Sequence, residues 1–336
     1  MRLSALDLSP VPSGASAAQA LRNTIDLARH VERLGFQRYW LAEHHNAGAL
    51  ASSAPEIVIG AVAAATTRLR VGSGGIMLPN HSPLKVAETF RVLAALYGDR
   101  IDLGVGRAAG TDTKTALALR QARELLGAEA FPAQLDELLS YLSHEPDPAE
   151  RFGPIKAAPI GVTPPPVFLL GSGLEGARMA ARLGLGFAYA HHIAPDGYVE
   201  AMKAYRDGFQ PSRWLDAPYA ILAAAVLCGA TDAATEDLVR CADLSFLRFG
   251  QGLRDLPMPS VEEARAYTFD ADEEAFRAAS RGRSLAGTPP LVASRLRELA
   301  SAASADEVMI VAGIHDHEER KRSYERIADA VGITRA

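Results

Sequence analysis

The stretch PVFLLGSGLEGARMAARLGLGFAYAHH (166–192) decides the fold. A short apolar run, 167–170, breaks at Gly171-Ser172-Gly173, passes into a longer segment of helical spacing, and is followed by a second apolar run, 187–190. A strand, a crossover helix and a second strand make a parallel pair, because parallel strands cannot be joined by a tight turn. The glycines stand where the strand hands over to the helix. A helix start offers unpaired N–H groups and the positive end of its dipole, so the turn is suited to an anion.

The same pattern repeats outward in both directions. Strand candidates fall at 3–8, 38–42, 69–77, 101–105, 167–170, 187–190, 219–227 and 307–311, with helical material between them. Leu21, Ile25, Ala28 and Val31 form one apolar stripe that stops at Gly35. Ser53 with Glu56 reads as a capping box, Ser82-Pro83 opens another helix, helical spacing runs to about Ser143, and a final helix starts at about Asp316. Eight strand–helix units predict an α/β fold, a (β/α)8 TIM barrel with insertions, and an open doubly wound sheet is the alternative.

No linker divides the chain, so residues 1–336 are expected to form one domain, with the Pro-rich stretch 146–166 as a long loop into the fifth strand. Segment 249–287 is long, charged, broken by Pro257 and Pro259 and without a clear strand; it reads as a lid or as a surface insertion. The helix at 54–66 is apolar on nearly every face, which predicts burial under the chain or a homodimer interface.

Composition narrows the function. With 48% apolar and 22% charged residues the chain can build a sizeable core. A net charge of −5 gives no case for nucleic acid or an acidic membrane surface. Cys228 and Cys241 have no metal spacing and form no disulfide framework. The N-terminal run is interrupted by Asp7, and the longest apolar stretch, about eleven residues, is too short to span a bilayer. A cytoplasmic protein without membrane contact is expected.

In a barrel the chemistry gathers where strands end. Those positions hold Glu43-His44-His45, Gly74-Gly75, Gly104 to Arg107, Gly171-Ser172-Gly173 and His191-His192. A metal is not expected, since neighbouring strand residues point to opposite faces and only one ring of each His pair looks inward. His315-Asp316-His317 reads as a helix start with Asp316 as N-cap. A dinucleotide site is disfavoured as well. The acid that should hold the ribose at the end of the next strand is missing, and His191 stands there. One phosphate fits better, with Arg107 as its counter-charge; the plain alternative for Arg107 is a salt bridge on the rim.

Taken together, YWLAEHHN (39–46), VGSGGIMLPNHSPL (71–84), RIDLGVGRAAGTD (100–112), PVFLLGSG (166–173) and GTPPLVASRLREL (287–299) resemble the luciferase-like flavin monooxygenases, the superfamily of bacterial luciferase and alkanal monooxygenases, over the whole chain. The resemblance is nearest to a bacterial subgroup of unknown substrate. It implies a barrel holding FMN at its strand ends, with Glu43, Gly74 and Gly75 against the isoalloxazine ring and Arg107, Gly171, Ser172 and Gly173 around the phosphate. It also implies a non-prolyl cis peptide at Gly74-Gly75. His44 matches the family's catalytic histidine, a general base titrating near neutrality, with His45 as its partner. Two positions depart from the pattern: Ala109 where proline is common, and Gly106 where the light-emitting subunit has a reactive cysteine. Lys114 and Arg120 are candidates for a second phosphate charge.

The activity implied is a two-component monooxygenase, in which reduced FMN from a separate flavin reductase acts with O2 on a small organic substrate. An F420-dependent hydride-transfer enzyme and a non-catalytic flavin-binding protein are the alternatives.

Overall fold

The computed structural model describes residues 1–108, 110–120, 130–143 and 155–334. Its strands are β1 (Arg2–Asp7), β2 (Arg38–Leu41), β3 (Arg70–Ser73), β4 (Ile76–Met77), β5 (Ile101–Gly106), β6 (Val167–Gly171), β7 (Gly186–Ala190), β8 (Ala220–Cys228), β9 (Ser284–Gly287) and β10 (Glu307–Val311). Among the described residues these strands pair in parallel throughout, and β10 pairs with both β1 and β8, which closes the ring. β3 and β4 share one place in it, since both pair with β5. β9 stands outside the ring, beside the last four residues of β8. The result is a closed eight-position parallel barrel with flanking helices, a TIM barrel.

Alternation along the strands sorts the side chains. Leu3, Ala5, Tyr39, Leu41, Val308 and Ile310 face outward into the core shared with the helices, whereas Leu6, Trp40, Ala42, Phe168, Ala188, Ile221, Ala223 and Met309 fill the barrel. At the end where the strands begin, the interior turns polar. Arg38 bonds Asp102 at 2.8 Å and Glu307 at 3.0 Å, Trp40 donates its indole N–H to Asp102 at 3.1 Å, and Tyr219 donates to Glu307 at 2.6 Å. The Arg38 guanidinium also lies between the rings of Phe168 and Tyr219. Both carboxylates are wholly buried, so this layer closes the floor of the barrel. Function must then occupy the other end.

Several local expectations hold. Ser82 caps the helix Pro83–Tyr97, and Asp316 caps the helix His317–Val331, accepting from the Glu319 N–H at 2.6 Å. Others are corrected. The second helix is Pro55–Ala65, with Ala54 as an N-cap that makes no side-chain bond. Proline at the first helical position forces its predecessor out of helical geometry, so Ser53 stands too far back to cap. The run 69–77 is two strands, divided by a cis peptide between Gly74 and Gly75. Segment 249–287 is mostly ordered into elements: the helix Asp232–Gly250 runs into it, Val261–Ala266 and Ala271–Ser280 each begin with a full capping box, and it ends in β9. The sequence SLAG is too short and too weakly β-forming to announce a strand. Part of the Pro-rich stretch, 146–154, lies outside the described residues, as does Ala109. Among the described residues no helix is long and apolar enough to cross a membrane.

Candidate active site

β2 ends at Leu41 and delivers Glu43, His44 and His45 to the upper rim just beyond its last residue. Arg38, Trp40 and Ala42 face the interior beneath them. Glu43 is completely buried. Its Oε1 lies 2.8 Å from His45 Nε2 and 2.9 Å from His81 Nε2 and accepts from Asn80 at 3.3 Å; its Oε2 accepts the Met77 N–H at 2.8 Å. Burial works against this charge, but the bonds from His45 and His81 outweigh it and hold the carboxyl at about 2. The same contact raises His81 despite its burial.

The buried Glu43 carboxylate ties the end of β2 to β4 and the turn after it. His45 belongs to the same anchor. His44 departs from the near-neutral titration expected of it. Burial pushes its imidazole down to about 4, so it is neutral over the whole physiological range. Its Nδ1 is buried without a hydrogen-bond partner among the described residues.

The glycines at β3 and β4 have reasons inside the protein. A Cβ on Gly74 would stand 2.6 Å from Leu6 Cδ1 and 3.1 Å from Trp40, and one on Gly75 would stand 2.8 Å from the Gly104 carbonyl. The barrel wall itself leaves no room for a side chain on Gly75, where the obstacle is backbone, and crowds one on Gly74, before any ring is considered.

Across the rim, β6 ends in the turn that opens the helix Leu174–Leu183. A Cβ on Gly171 would come 3.6 Å from the Gly176 Cα, so the first and third glycines of the motif bring strand and helix together. A Cβ on Gly173 would meet nothing within 4 Å. Gly173 is also the N-cap and supplies no side-chain acceptor, so the first turn of the helix faces open space. The Ser172 carbonyl accepts from the Tyr189 hydroxyl at 3.2 Å. Arg107, from the end of the adjacent β5, reaches this turn and bonds Glu175 at 2.6 Å. Arginine and glycine turn therefore share one rim, which the phosphate reading required, and the salt bridge of the plain alternative is present too. Lys114 is exposed in the helix Thr113–Arg120, and the Arg120 side chain lies outside the described residues.

Over residues 1–306 the chain matches the model of the luciferase-like monooxygenases. It belongs to that family. The enzyme is 40% identical over 328 residues to the Luciferase-like monooxygenase of Escherichia coli K12, covering 97% of this chain and 96% of that one. It is 34% identical over 334 residues to the N-acetyl-S-alkylcysteine monooxygenase of Bacillus subtilis 168, covering 98% of each. The solved structure of apo-MsnO8 superposes with a TM-score of 0.89 at 37% identity, over 100% of this chain and 99% of that one. More distant barrels share the fold alone. One is the oxygenating constituent of 3,6-diketocamphane monooxygenase from Pseudomonas putida in complex with FMN, at TM-score 0.70 and 19% identity over 98% and 97% of the two chains. Another is an F420-dependent secondary alcohol dehydrogenase, at 0.67 and 14% over 98% of each.

Two features of this luciferase-like monooxygenase escaped sequence reasoning. His81 and Asn80, in the turn after β4, complete the Glu43 anchor; the L-P-x-H-x-P pattern marked the turn but not its partner. His192 is the second. A carbonyl only accepts, so the 3.1 Å contact with Ala223 O makes Nδ1 of His192 the protonated nitrogen and leaves Nε2 with its lone pair. β7 stands four ring positions from β2, and a proton on His192 would disfavour one on His44. The spacing His191-His192 could not show which ring turns inward.

The segment after the helix Asp232–Gly250 covers part of this end. Met258 exchanges backbone bonds with Val11 and Ser13, the Arg254 carbonyl accepts from Ala49, and Asp255 takes the Gly48 N–H. These contacts fasten it over the loops that follow β1 and β2.

Proposed function

We propose that this enzyme is the oxygenating component of a two-component FMN monooxygenase acting on a small organic substrate. The observation that carries the reading is the meeting of Arg107 with the Gly171–Gly173 turn at an uncapped helix start, on the rim that also presents His44. A guanidinium fork and free N–H groups suit a phosphate monoester. Ser172 adds a hydroxyl at the same turn. FMN, when bound, supplies the oxygen chemistry.

The residues of the chain do the rest. Neutral His44 accepts or relays a proton on the inner face of the mouth, and His192 presents its Nε2 lone pair from the opposite wall. Glu43, with His45, holds β2 and β4 in place beneath them. The fastened segment around Met258 limits the entry of water. The FMN-bound and F420-dependent barrels of the same fold support a flavin-type ring, and the 34% identical monooxygenase supports oxygen insertion as the reaction.

The dimer belongs to the same reading. Ile57, Ala61 and Ala64 on Pro55–Ala65 and Val92 and Leu96 on Pro83–Tyr97 are exposed and apolar, and Leu93 packs over Gly60 between the two helices. We assign this face to a second copy of the chain.

The test is binding and turnover with defined components. Reduced FMN should bind the purified protein, and O2 uptake should require a separate reductase when NADH is the electron source. Rapid NADH oxidation by the protein alone, or tight binding of F420 with none of FMN, would overturn the proposal. His44→Gln should retain FMN binding and lose on the order of 100-fold or more in product formation; unchanged product yield would identify a flavin-binding protein without turnover.

A further inference from the structure

Glu175 is the residue at the glycine turn that a phosphate site does not call for. It stands in the first turn of Leu174–Leu183, where an acidic side chain is favoured by the helix dipole. Its Oε2 lies 2.6 Å from Arg107 Nη1, and the two side chains are 70% and 47% exposed. Of the groups suited to a phosphate here, the guanidinium of Arg107 is therefore already engaged by a carboxylate, and that carboxylate stands on the first turn of the helix whose start offers the N–H groups.

We propose that Glu175 is a built-in competitor for the phosphate of the cofactor, holding Arg107 over the turn in the free protein and lowering the affinity for a dianionic phosphate. The proposal rests on the FMN reading above. An exposed ion pair is weak, so a phosphate can take Arg107 from it. The carboxylate is then left on the first turn of the same helix, still within range of the new charge, and opposes it. The balance between these two effects fixes a moderate affinity. Moderate affinity suits a component that must accept reduced flavin from another protein and give the oxidised form back, since most differences in affinity appear in the dissociation rate.

The alternative assignment is that Glu175 aims Arg107 at the phosphate, and it predicts the opposite sign. FMN and riboflavin are titrated, with flavin fluorescence as the readout, into the wild type, Glu175→Gln, Arg107→Gln and the double variant. The exposed position of Glu175 keeps the fold intact, and thermal unfolding of each variant verifies this. Glu175→Gln should bind FMN roughly fivefold more tightly and riboflavin, which lacks the phosphate, no differently. Arg107→Gln should weaken FMN, and adding Glu175→Gln to it should restore less than the full gain. FMN binding that is equal or weaker in Glu175→Gln, or an equal gain for riboflavin, would overturn the proposal while leaving the FMN reading in place. Failure of FMN to bind to the wild type and to Glu175→Gln would remove both.

Discussion

The Oε1 atom of Glu43 lies 2.9 Å from Nε2 of His81, and a strand end and a turn from separate parts of the chain are fixed to each other by that contact. Because His45, Asn80 and the Met77 N–H use the same carboxylate, one buried charge sets the position of β4 and the inner rim. Glu43→Gln removes the charge and leaves a donor facing donors. Global stability should fall by about 1–3 kcal/mol, the cost of buried polar groups that lose their partners, as read from urea unfolding. A change within about 0.5 kcal/mol would show that the anchor is dispensable.

The same rim predicts how stability follows pH. His44 titrates at about 4 in the fold and at about 6.5 when unfolded, so between those values the unfolded chain binds more protons and stability rises with pH. Glu43, held at about 2 against an ordinary 4.5, adds stability that is complete above 4.5 and is lost as pH falls toward 2. His81 is shifted upward and contributes in the opposite sense, with stability that is present below 6.5 and lost as pH rises through its folded value. The melting temperature should therefore drop between pH 6.5 and pH 4, and His44→Gln should flatten that part of the curve. A variant that retains the full wild-type slope would assign the acid sensitivity elsewhere.

At the floor of the barrel, Arg38 neutralises two buried carboxylates. Arg38→Met keeps much of the volume and takes the guanidinium from both carboxylates, leaving Asp102 with Arg70 at 2.6 Å and the Trp40 indole, and Glu307 with neutral hydroxyl donors such as that of Tyr219. A loss of about 3–5 kcal/mol in unfolding free energy is expected. Chemical denaturation checks it, and a loss below about 1 kcal/mol would mean that the layer relaxes around the change.

For the proposed dimer, Leu96→Glu places a charge on an exposed apolar site and touches nothing in the monomer core. Light scattering coupled to size exclusion should give a dimer for the wild type and a monomer for Leu96→Glu. A wild-type protein that is monomeric at micromolar concentration would dismiss the assignment.

The barrel could be read before any coordinates because its cause is local and repeated. Each strand is a short apolar run, each helix an interrupted stretch of longer period, and parallel pairing follows from the crossovers between them. The strand ends can be read for the same reason, which is why Arg107, His44 and the 171–173 turn stand out as candidates with no knowledge of what they face. Which neighbour each of them meets is a matter of closure. Ring closure brings the ends of β2 and β7 to one rim, the turn after β4 closes on the Glu43 carboxylate, and Arg107 acquires Glu175 from the adjoining strand's helix. Contacts of that kind join residues tens of positions apart, and their burial and bond partners, which fix the charge of Glu43 and the neutrality of His44, come into being only when the ring is complete.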